Sequence, residues 1–408
     1  MKKLALVAAV GLVLSGCGGS GDNNSGDITT PPVTNPTAST VIGSIESISG
    51  NSITVNGHKF SVANVNYQGQ SLKPSVLALN MMVEVNSATK ASSANVTLEP
   101  TMAGIINNID RATGMFTING ITLKYAKLMD KDSPIHNHDW VFVSSLPTAT
   151  EGYKVISVVK LSPEEPSFGD ITKRSEIEGV VTDLDVKLKR MTLGSGINIE
   201  WDQNIHFDDG ILPILGHWVE VEGQWSNGIF HASEIDVENY ASNSSESETE
   251  GVITWVANDH SAFALNYRGK FLVNSSTRFE DGNKLDLLVG SEVEVTSVSQ
   301  SNNRVATNIE FDDKDTSDDA WDNHEFECSG LVTNYQVEGV SATFDVQELQ
   351  YGENAGKDCS NITINKNNAV FEDGLSFFNL SDKQVDVEGI LVNRNKVALE
   401  VEAWEAED

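Results

Sequence analysis

Beyond residue 40, apolar and polar residues alternate in short runs that are separated by Gly, Asn and Asp. Alternation with a period of two predicts half-buried antiparallel strands, and no long stretch has helical periodicity. In the clearest part of the chain the predicted strands are 250–256, 262–267, 270–273, 292–298 and 304–311. A turn at Arg268-Gly269 and a short apolar stretch over 285–289 lie between them. The pattern therefore predicts an all-β protein.

This pattern occurs five times along the chain. Each copy opens on a Gly inside an alternating run, and these glycines, spaced 61 to 79 residues apart, are Gly43, Gly104, Gly179, Gly251 and Gly330. Each copy closes on a strand of the form V-E-V or a variant of it, namely 83–85, 141–143, 219–221, 293–295 and 385–387. Self-similarity at a regular period predicts tandem copies of one small domain.

Two further elements recur between these ends. Asn56-Gly57 and Asn119-Gly120 are dipeptides that two-residue hairpins favour, because both turn positions need a positive φ. A Phe-acid-Asp-Gly element occurs at 207–210, 279–282 and 371–374. The second copy departs most, since it lacks both this element and the acid of the V-E-V strand.

Five strands in about 65 residues, with a short helical turn between the third and the fourth, predict a small closed or partly open barrel of the OB type. The predicted organisation is a signal peptide at 1–16, a lipidated Cys17 with a Gly-, Ser- and Asn-rich flexible tether to residue 40, and barrels at 41–99, 100–162, 175–240, 247–312 and 325–405. The segments 163–166, 242–248 and 312–324 are predicted spacers. Whether the barrels pack together or form separate beads stays open.

The first residues resemble the export signal of bacterial lipoproteins. Lys2 and Lys3 precede an apolar run over 4–14, which is too short to span a bilayer. The run continues into Ser15-Gly16-Cys17, which resembles a lipobox and implies that Cys17 becomes the lipid-bearing N-terminus. In Gram-negative lipoproteins, a Gly after this Cys is typical of sorting to the outer membrane. The alternative is a cleaved secretory signal followed by an ordinary Cys.

Taken together, the lipobox, the tether and the G-x-V, N-G, F-x-D-G and V-E-V copies resemble a family of bacterial envelope lipoproteins. That family is built from repeated OB-like barrels and is known only as a domain of unknown function. The resemblance covers residues 41–405 and implies a fold and a location in the cell envelope. Because its motifs are structural, it implies no catalytic residue.

Charge and cysteine content limit the partners and the chemistry. The chain has 27 Lys and Arg against 59 Asp and Glu, a net charge of −32, and loss of Lys2 and Lys3 with the signal makes it −34. Phosphates repel so acidic a chain, so no nucleic-acid partner is expected. In an exported protein, the pair Cys328 and Cys359 predicts a disulfide within the fifth copy.

Acidic residues form weak candidate sites for Ca2+, which prefers several oxygen ligands. In the Phe-acid-Asp-Gly elements the candidates are Asp209, Asp281 and Asp373, and the alternative is a tight turn in which Asp bonds its own backbone. In the densest acidic run the candidates are Asp313, Asp315, Asp318 and Asp319, and the alternative is a solvated linker. This run lacks the Gly and the terminal Glu of an EF-hand loop. No other cofactor is expected.

His136, His138 and Asp139 are a further candidate, for zinc or copper, and the alternative is a surface loop. Exposed tryptophans could stack sugars or peptide side chains, whereas burial is the usual fate of a residue such as Trp218. The sequence contains none of the common linear motifs of hydrolases, metalloproteases or nucleotide-binding enzymes.

The expected function is that of a lipid-anchored, non-catalytic binding or scaffold protein of the outer membrane, with a protein or a glycan as its partner. Two alternatives stay open: a calcium-dependent adhesion or matrix protein, and an envelope hydrolase whose site is assembled from distant residues.

Overall fold

The structure, a computed structural model, describes residues 39–86, 93–194, 196–238, 240, 246–300, 303–311, 325–349, 354, 357–366, 369–392 and 395–404. Strands dominate this part of the chain, and its one α-helix, α1 (Phe168–Ile171), is a single turn. Within the same residues, no helix has the length and apolar character needed to cross a membrane.

Barrel 1 is a closed five-stranded barrel. Its five main strands are β1 (Thr40–Ser49), β2 (Ser52–Val55), β3 (His58–Tyr67), β5 (Met82–Asn86) and β6 (Ser93–Leu98), and the short β4 (Gln70–Leu72) pairs with β3 outside the ring. β1 pairs antiparallel with β2 and β5, and a parallel pairing of β3 with β6 closes the ring. A 3-10 turn, Pro74–Val76, lies between β4 and β5. This order, 1-2-3-5-4 and back to 1 among the main strands, is that of an OB-type barrel.

Barrel 2 is open, and two short strands stand in it where barrel 1 has one long first strand. Its strands are β7 (Met102–Ile105), β8 (Asn107–Asp110), β9 (Met115–Ile118), β10 (Ile121–Lys124), β11 (Trp140–Pro147) and β12 (Tyr153–Lys160). β8, β9 and β10 form one small sheet, while β7, β11 and β12 belong to another. In the part of the chain that the structure describes, β10 and β12 do not pair. The copy whose motifs depart most is thus the one whose barrel stays open.

Barrels 3, 4 and 5 close as barrel 1 does. Barrel 3 has β13 (Ser175–Asp185), β14 (Arg190–Leu193), β15 (Ile197–Phe207), β16 (Trp218–Ser226) and β17 (Ile229–Val237). Barrel 4 has β18 (Glu246–Val256), β19 (Ala262–Leu265), β20 (Lys270–Leu272), β21 (Arg278–Glu280), β22 (Glu292–Gln300) and β23 (Asn303–Phe311). Barrel 5 has β24 (Glu325–Glu338), β25 (Ser341–Gln347), β26 (Ile362–Asn365), β27 (Val370–Phe371), β28 (Gln384–Val392) and β29 (Asn395–Ala403). The predicted all-β fold of small OB-like barrels is confirmed.

The opening glycine of a copy and the Asn in the turn between its second and third strands form one structural unit. In barrel 4, Asn266 Nδ2 donates to the Glu250 carbonyl at 3.3 Å, and Asn266 Oδ1 accepts from the Val252 amide at 2.8 Å. A Cβ on Gly251 would lie 2.3 Å from Asn266 Nδ2, so only Gly leaves room for this contact. Asn266 and Tyr267 both take a positive φ. For this reason β19 ends at Leu265, and the predicted extension of this strand to Tyr267 is wrong.

The barrels pack against one another, which the sequence left open. β1 of barrel 1 pairs in parallel with β18 of barrel 4, and β7 of barrel 2 pairs antiparallel with β13 of barrel 3. One apolar cluster contains Leu146, Trp218, Trp255 and Ile390, which belong to barrels 2, 3, 4 and 5 respectively. Because the described residues from Ser39 onward form a single compact unit, the barrels are not separate beads.

The predicted spacer at 163–166 is wrong, and the one at 242–248 is wrong for its described residues, 246–248. The Glu165 side chain accepts from the Lys73 amide at 3.0 Å, and Ile171 of α1 packs into the core of barrel 1. The segment 163–166 is therefore part of the packed structure, because it covers one end of barrel 1. In the segment 242–248, residues 246–248 belong to β18. The third segment, 312–324, lies outside the described residues.

Candidate binding surfaces and a buried charged junction

Several candidates from the sequence lie outside the described residues. These are Cys17, Asp313, Asp315, Asp318, Asp319 and the side chain of Asp209, whose backbone lies in the 3-10 turn Asp208–Gly210. Lipidation of Cys17 and calcium binding by this acidic run stay predictions.

Asp281 and Asp373 occupy turns. Their φ angles are 56° and 52°, and Asp373 Oδ2 accepts from the Ala403 amide at 3.3 Å. Phe279 stacks on Phe311 with 6.5 Å between ring centroids. Among the described residues, no group of three or more His, Cys, Asp or Glu has a geometry that would hold a metal ion. Asp281 and Asp373 thus lie in turns, as the alternative expects, but Asp373 bonds the backbone of Ala403 in another strand rather than its own.

The His136, His138 and Asp139 group is a surface loop. Asp139 Oδ1 pairs with Lys160 Nζ at 2.7 Å, and Asp139 Oδ2 accepts from the His136 amide at 2.8 Å. These contacts fix the loop between β10 and β11. The carboxylate is thus already engaged by a lysine and by the backbone.

The predicted disulfide is confirmed. Cys328 of β24 and Cys359, just before β26, are bonded with 5.8 Å between their Cα atoms and 31 residues between them in sequence. Both residues are buried in the core of barrel 5. The bond fixes the long connection between β25 and β26 to the first strand of the barrel.

Register places carboxylates opposite one another across neighbouring strands, a feature that the sequence reading missed. In barrel 4, Glu250 lies opposite Glu294, which lies opposite Glu310. The corresponding row in barrel 3 is Glu178–Glu220–Asp236, and barrel 5 has a similar row two residues further along its strands, Glu327–Glu388–Glu400. Like charges directly opposite destabilise a sheet. The V-E-V pattern identified one strand of each row, but the partners follow only from the register.

In barrel 3, Glu178 of the acidic row and the neighbouring Glu176 are buried at a junction with barrels 1 and 4. Tyr67 Oη and Gln68 Nε2 of barrel 1 both donate to Glu176 Oε2 of barrel 3, each at 2.8 Å. Burial, reinforced by the charges of Glu220 and Glu178, raises the pKa of Glu176 well above its usual value. Burial and the Glu178 charge do the same to Glu220. These carboxyls are held towards their neutral, protonated form.

Arg268 of barrel 4 is the cation in this junction. Its guanidinium pairs with the carboxylate of Glu178 and lies 5.4 Å from the ring centroid of Trp218. Trp218 Nε1 donates to the same Glu178 Oε2 at 3.0 Å, and its ring stacks on Tyr267. Burial and the charges of Glu238 and Glu178 raise the pKa of Glu99 at the end of barrel 1. The junction therefore joins barrels 1, 3 and 4 through charge, hydrogen bonds and stacking.

The tryptophans differ in exposure. Trp140, Trp218 and Trp255 are buried, as expected of Trp218, while Trp201 and Trp404 are partly buried and Trp321 lies outside the described residues. Trp225, near the end of β16, is 36% exposed. It lies at the boundary between barrels 2 and 3, next to the Asn119-Gly120 turn.

Trp225 lines an open cleft of about 770 Å3 between barrels 2 and 3. Gly120 permits the position of the ring, because a Cβ there would lie 2.0 Å from Trp225 Cη2. Side-chain amides are prominent in the remaining lining, among them Asn108 and Gln224. The sequence gives no signal for this cleft, because its walls come from two barrels whose relative placement only the structure provides.

A second cleft, of about 650 Å3, lies between barrels 4 and 5. It is lined by both signs of charge: Lys396 Nζ pairs with Asp358 Oδ2 at 3.0 Å, and Lys357 Nζ pairs with Glu327 Oε2 at 3.2 Å. Both ion pairs lie within barrel 5, and they neutralise four of the five charged side chains that line the cleft.

Comparison with known proteins gives few matches. No curated protein matches the chain. A solved structure described as "drosophila Unr CSD456" is 13% identical, with a TM-score of 0.15, over 56% of this chain and 97% of that one. A likeness with so low a TM-score supports no argument about this protein. Residues 42–96, 178–236 and 250–310, in barrels 1, 3 and 4, match the family described as "Domain of unknown function (DUF5666)". The chain thus contains a repeated domain of unknown function in at least these three segments.

Proposed function

We propose that the protein is a non-catalytic binding protein of the bacterial cell envelope, held at the membrane by a lipid on Cys17. The proposed anchor rests on the lipobox-like end of the signal at Ser15-Gly16-Cys17. The Gly after Cys17 favours the outer membrane. Three acyl chains on one Cys would anchor it stably, since each buried methylene contributes about 0.8 kcal/mol.

The observation that carries the binding function is the open cleft beside Trp225. Most apolar rings of the described barrels lie in cores, whereas this indole is held at the surface by a glycine of the neighbouring barrel. Concave sites with an aromatic wall and a few convergent polar groups are typical of ligand binding. Because barrels 2 and 3 share the β7–β13 pairing, the two walls of the cleft are fixed to each other.

Two measurements test this proposal. The first is the distribution of the full-length protein, which should fractionate with outer membranes, whereas a Cys17→Ser variant should not. The second is sedimentation of residues 18–408, which keep all five barrels, with isolated cell envelopes. Envelopes that sediment without the protein would contradict a binding role. Protease treatment of intact cells then distinguishes a surface-exposed protein from a periplasmic one.

The acidic run with Asp313, Asp315, Asp318 and Asp319, which lies outside the described residues, favours a second candidate, a calcium-dependent adhesion or matrix protein. Carboxylates are among the oxygen ligands that calcium prefers. Millimolar calcium should then raise the melting temperature of residues 18–408 more than magnesium does. An equal effect of both ions, or none, would eliminate this candidate.

A further inference from the structure

We propose that the cleft between barrels 2 and 3 binds a neutral, hydroxyl-rich polysaccharide. This inference rests on the proposed binding function and names the class of ligand that the same cleft accepts. It is carried by three properties of the cleft: an aromatic wall, a set of side-chain amides, and a lining without carboxylates.

The aromatic wall is the indole of Trp225. Gly120 of barrel 2 lies directly against one part of the ring, while 36% of the residue stays accessible. Gly120 has a φ of 84°, which disfavours any side chain at this turn. An exposed indole offers a flat apolar surface, and the C–H face of a sugar ring is the complementary flat, weakly apolar surface.

The amides supply hydrogen bonds of the kind that hydroxyls need. Asn108 Nδ2 donates to Thr117 Oγ1 at 3.0 Å, and Gln224 Nε2 donates to the Lys173 carbonyl at 3.2 Å. Each of these bonds orients the amide while its oxygen remains an acceptor. An amide carries two donors and one acceptor group, so one side chain can serve neighbouring hydroxyls of a sugar.

Charge separates this ligand from the other candidates. The chain has 59 Asp and Glu, yet none is among the described residues that line the cleft, where the charged or titratable side chains are His138 and Lys173. A basic peptide would require carboxylates in the cleft. A polyanion would be repelled by the net charge of −32 around it. A neutral polymer meets neither obstacle.

Affinity electrophoresis tests the inference with probes that are all neutral: glycogen, laminarin, mannan and galactomannan, each cast into a native gel. Residues 18–408 should be retarded by at least one of them. Trp225→Ala should weaken that binding by about tenfold or more, because the aromatic contact is lost. Trp225→Tyr should keep most of it. Trp201→Ala, a change of the same kind on a partly buried residue of the same barrel, should have no effect.

The outcomes separate the inference from the proposed function. Retardation by none of the four polymers, or by one of them equally in wild type and Trp225→Ala, overturns the inference. An equal loss in Trp201→Ala also overturns it, because the effect would then reflect general damage; circular dichroism verifies that each variant is folded. If the protein sediments with envelopes but binds no polymer, the binding function stands and the ligand class is wrong. If the protein neither sediments with envelopes nor binds any of the polymers, the binding function is refuted.

Discussion

Replacement of Arg268 by Met gives the most direct test of the buried junction. The guanidinium pairs with Glu178, lies over Trp218, and has the carboxyls of Glu238 and Glu99 nearby. Met has a similar length and no charge. The substitution therefore removes the cation from the junction while it fills much of the same space.

The expected cost follows from the burial of the groups that remain. Removal of one partner of a buried ion pair typically costs about 3–5 kcal/mol, because the other charge is left buried and uncompensated. Glu178 is 2% exposed, so water cannot replace the lost partner without opening the junction. Loss of the contact with Trp218 adds about 0.5–2 kcal/mol. The free energy of unfolding at neutral pH should therefore fall by about 3.5–7 kcal/mol.

The assay is urea denaturation monitored by tryptophan fluorescence, since Trp218 lies within the junction. Glu178→Gln alone and the double variant Arg268→Met/Glu178→Gln complete a double-mutant cycle. The double variant should recover much of the loss, because it leaves no unpaired charge at this pair. A loss below about 1 kcal/mol for Arg268→Met, or strict additivity in the cycle, would refute the role assigned to Arg268.

Three further predictions concern other parts of the fold. Burial and the charge of Glu372 raise the pKa of Glu400 to about 7 from 4.5, so the folded state binds this proton more tightly. The contribution of protonated Glu400 to stability is complete below pH 4.5 and is lost as the pH rises to about 7. Glu400→Gln should therefore flatten the pH dependence of the urea midpoint over this range, and an unchanged slope would contradict the prediction. Replacement of Cys328 and Cys359 by Ala should cost about 3–4 kcal/mol, as expected for a 31-residue loop, and the variant should resemble the reduced wild type in urea denaturation. Gly251→Ala should cost about 2–3 kcal/mol by displacing Asn266, whereas the control Gly169→Ala, with no atom within 4 Å of the new Cβ, should be close to neutral in the same assay.

The elements that the sequence predicted well are those determined by local chemistry. Period-two alternation identified the strands of barrel 4, and the Asn-Gly dipeptides marked turns in which Asn56 and Asn119 take a positive φ. The cysteine pair required only an export context and proximity in sequence. Each of these inferences depends on residues within one barrel.

The features that the sequence did not predict depend on relations between strands or barrels. Glu294 belongs to a recognisable V-E-V strand, but its opposition to Glu250 and Glu310 follows from register. The sequence predicts Arg268 only as a turn residue, and the packing of barrel 4 on barrel 3 places it beside Glu178. The same holds for Trp225, whose cleft is completed by Gly120 of another barrel. Long-range packing of this kind has no linear signature.

The parallel pairing of β1 with β18 has a mechanical consequence. The N-terminal half of β1 lies between β5 of its own barrel and β18 of barrel 4, and Thr40 is in register with both Asn86 and Ser247. Tension applied to the chain before Thr40 therefore acts along β1, and it loads the hydrogen bonds to both neighbours together in shear. A pull on the N-terminal segment is shared between the first and the fourth barrels, so the first strand after the proposed membrane anchor is held against extraction by two barrels.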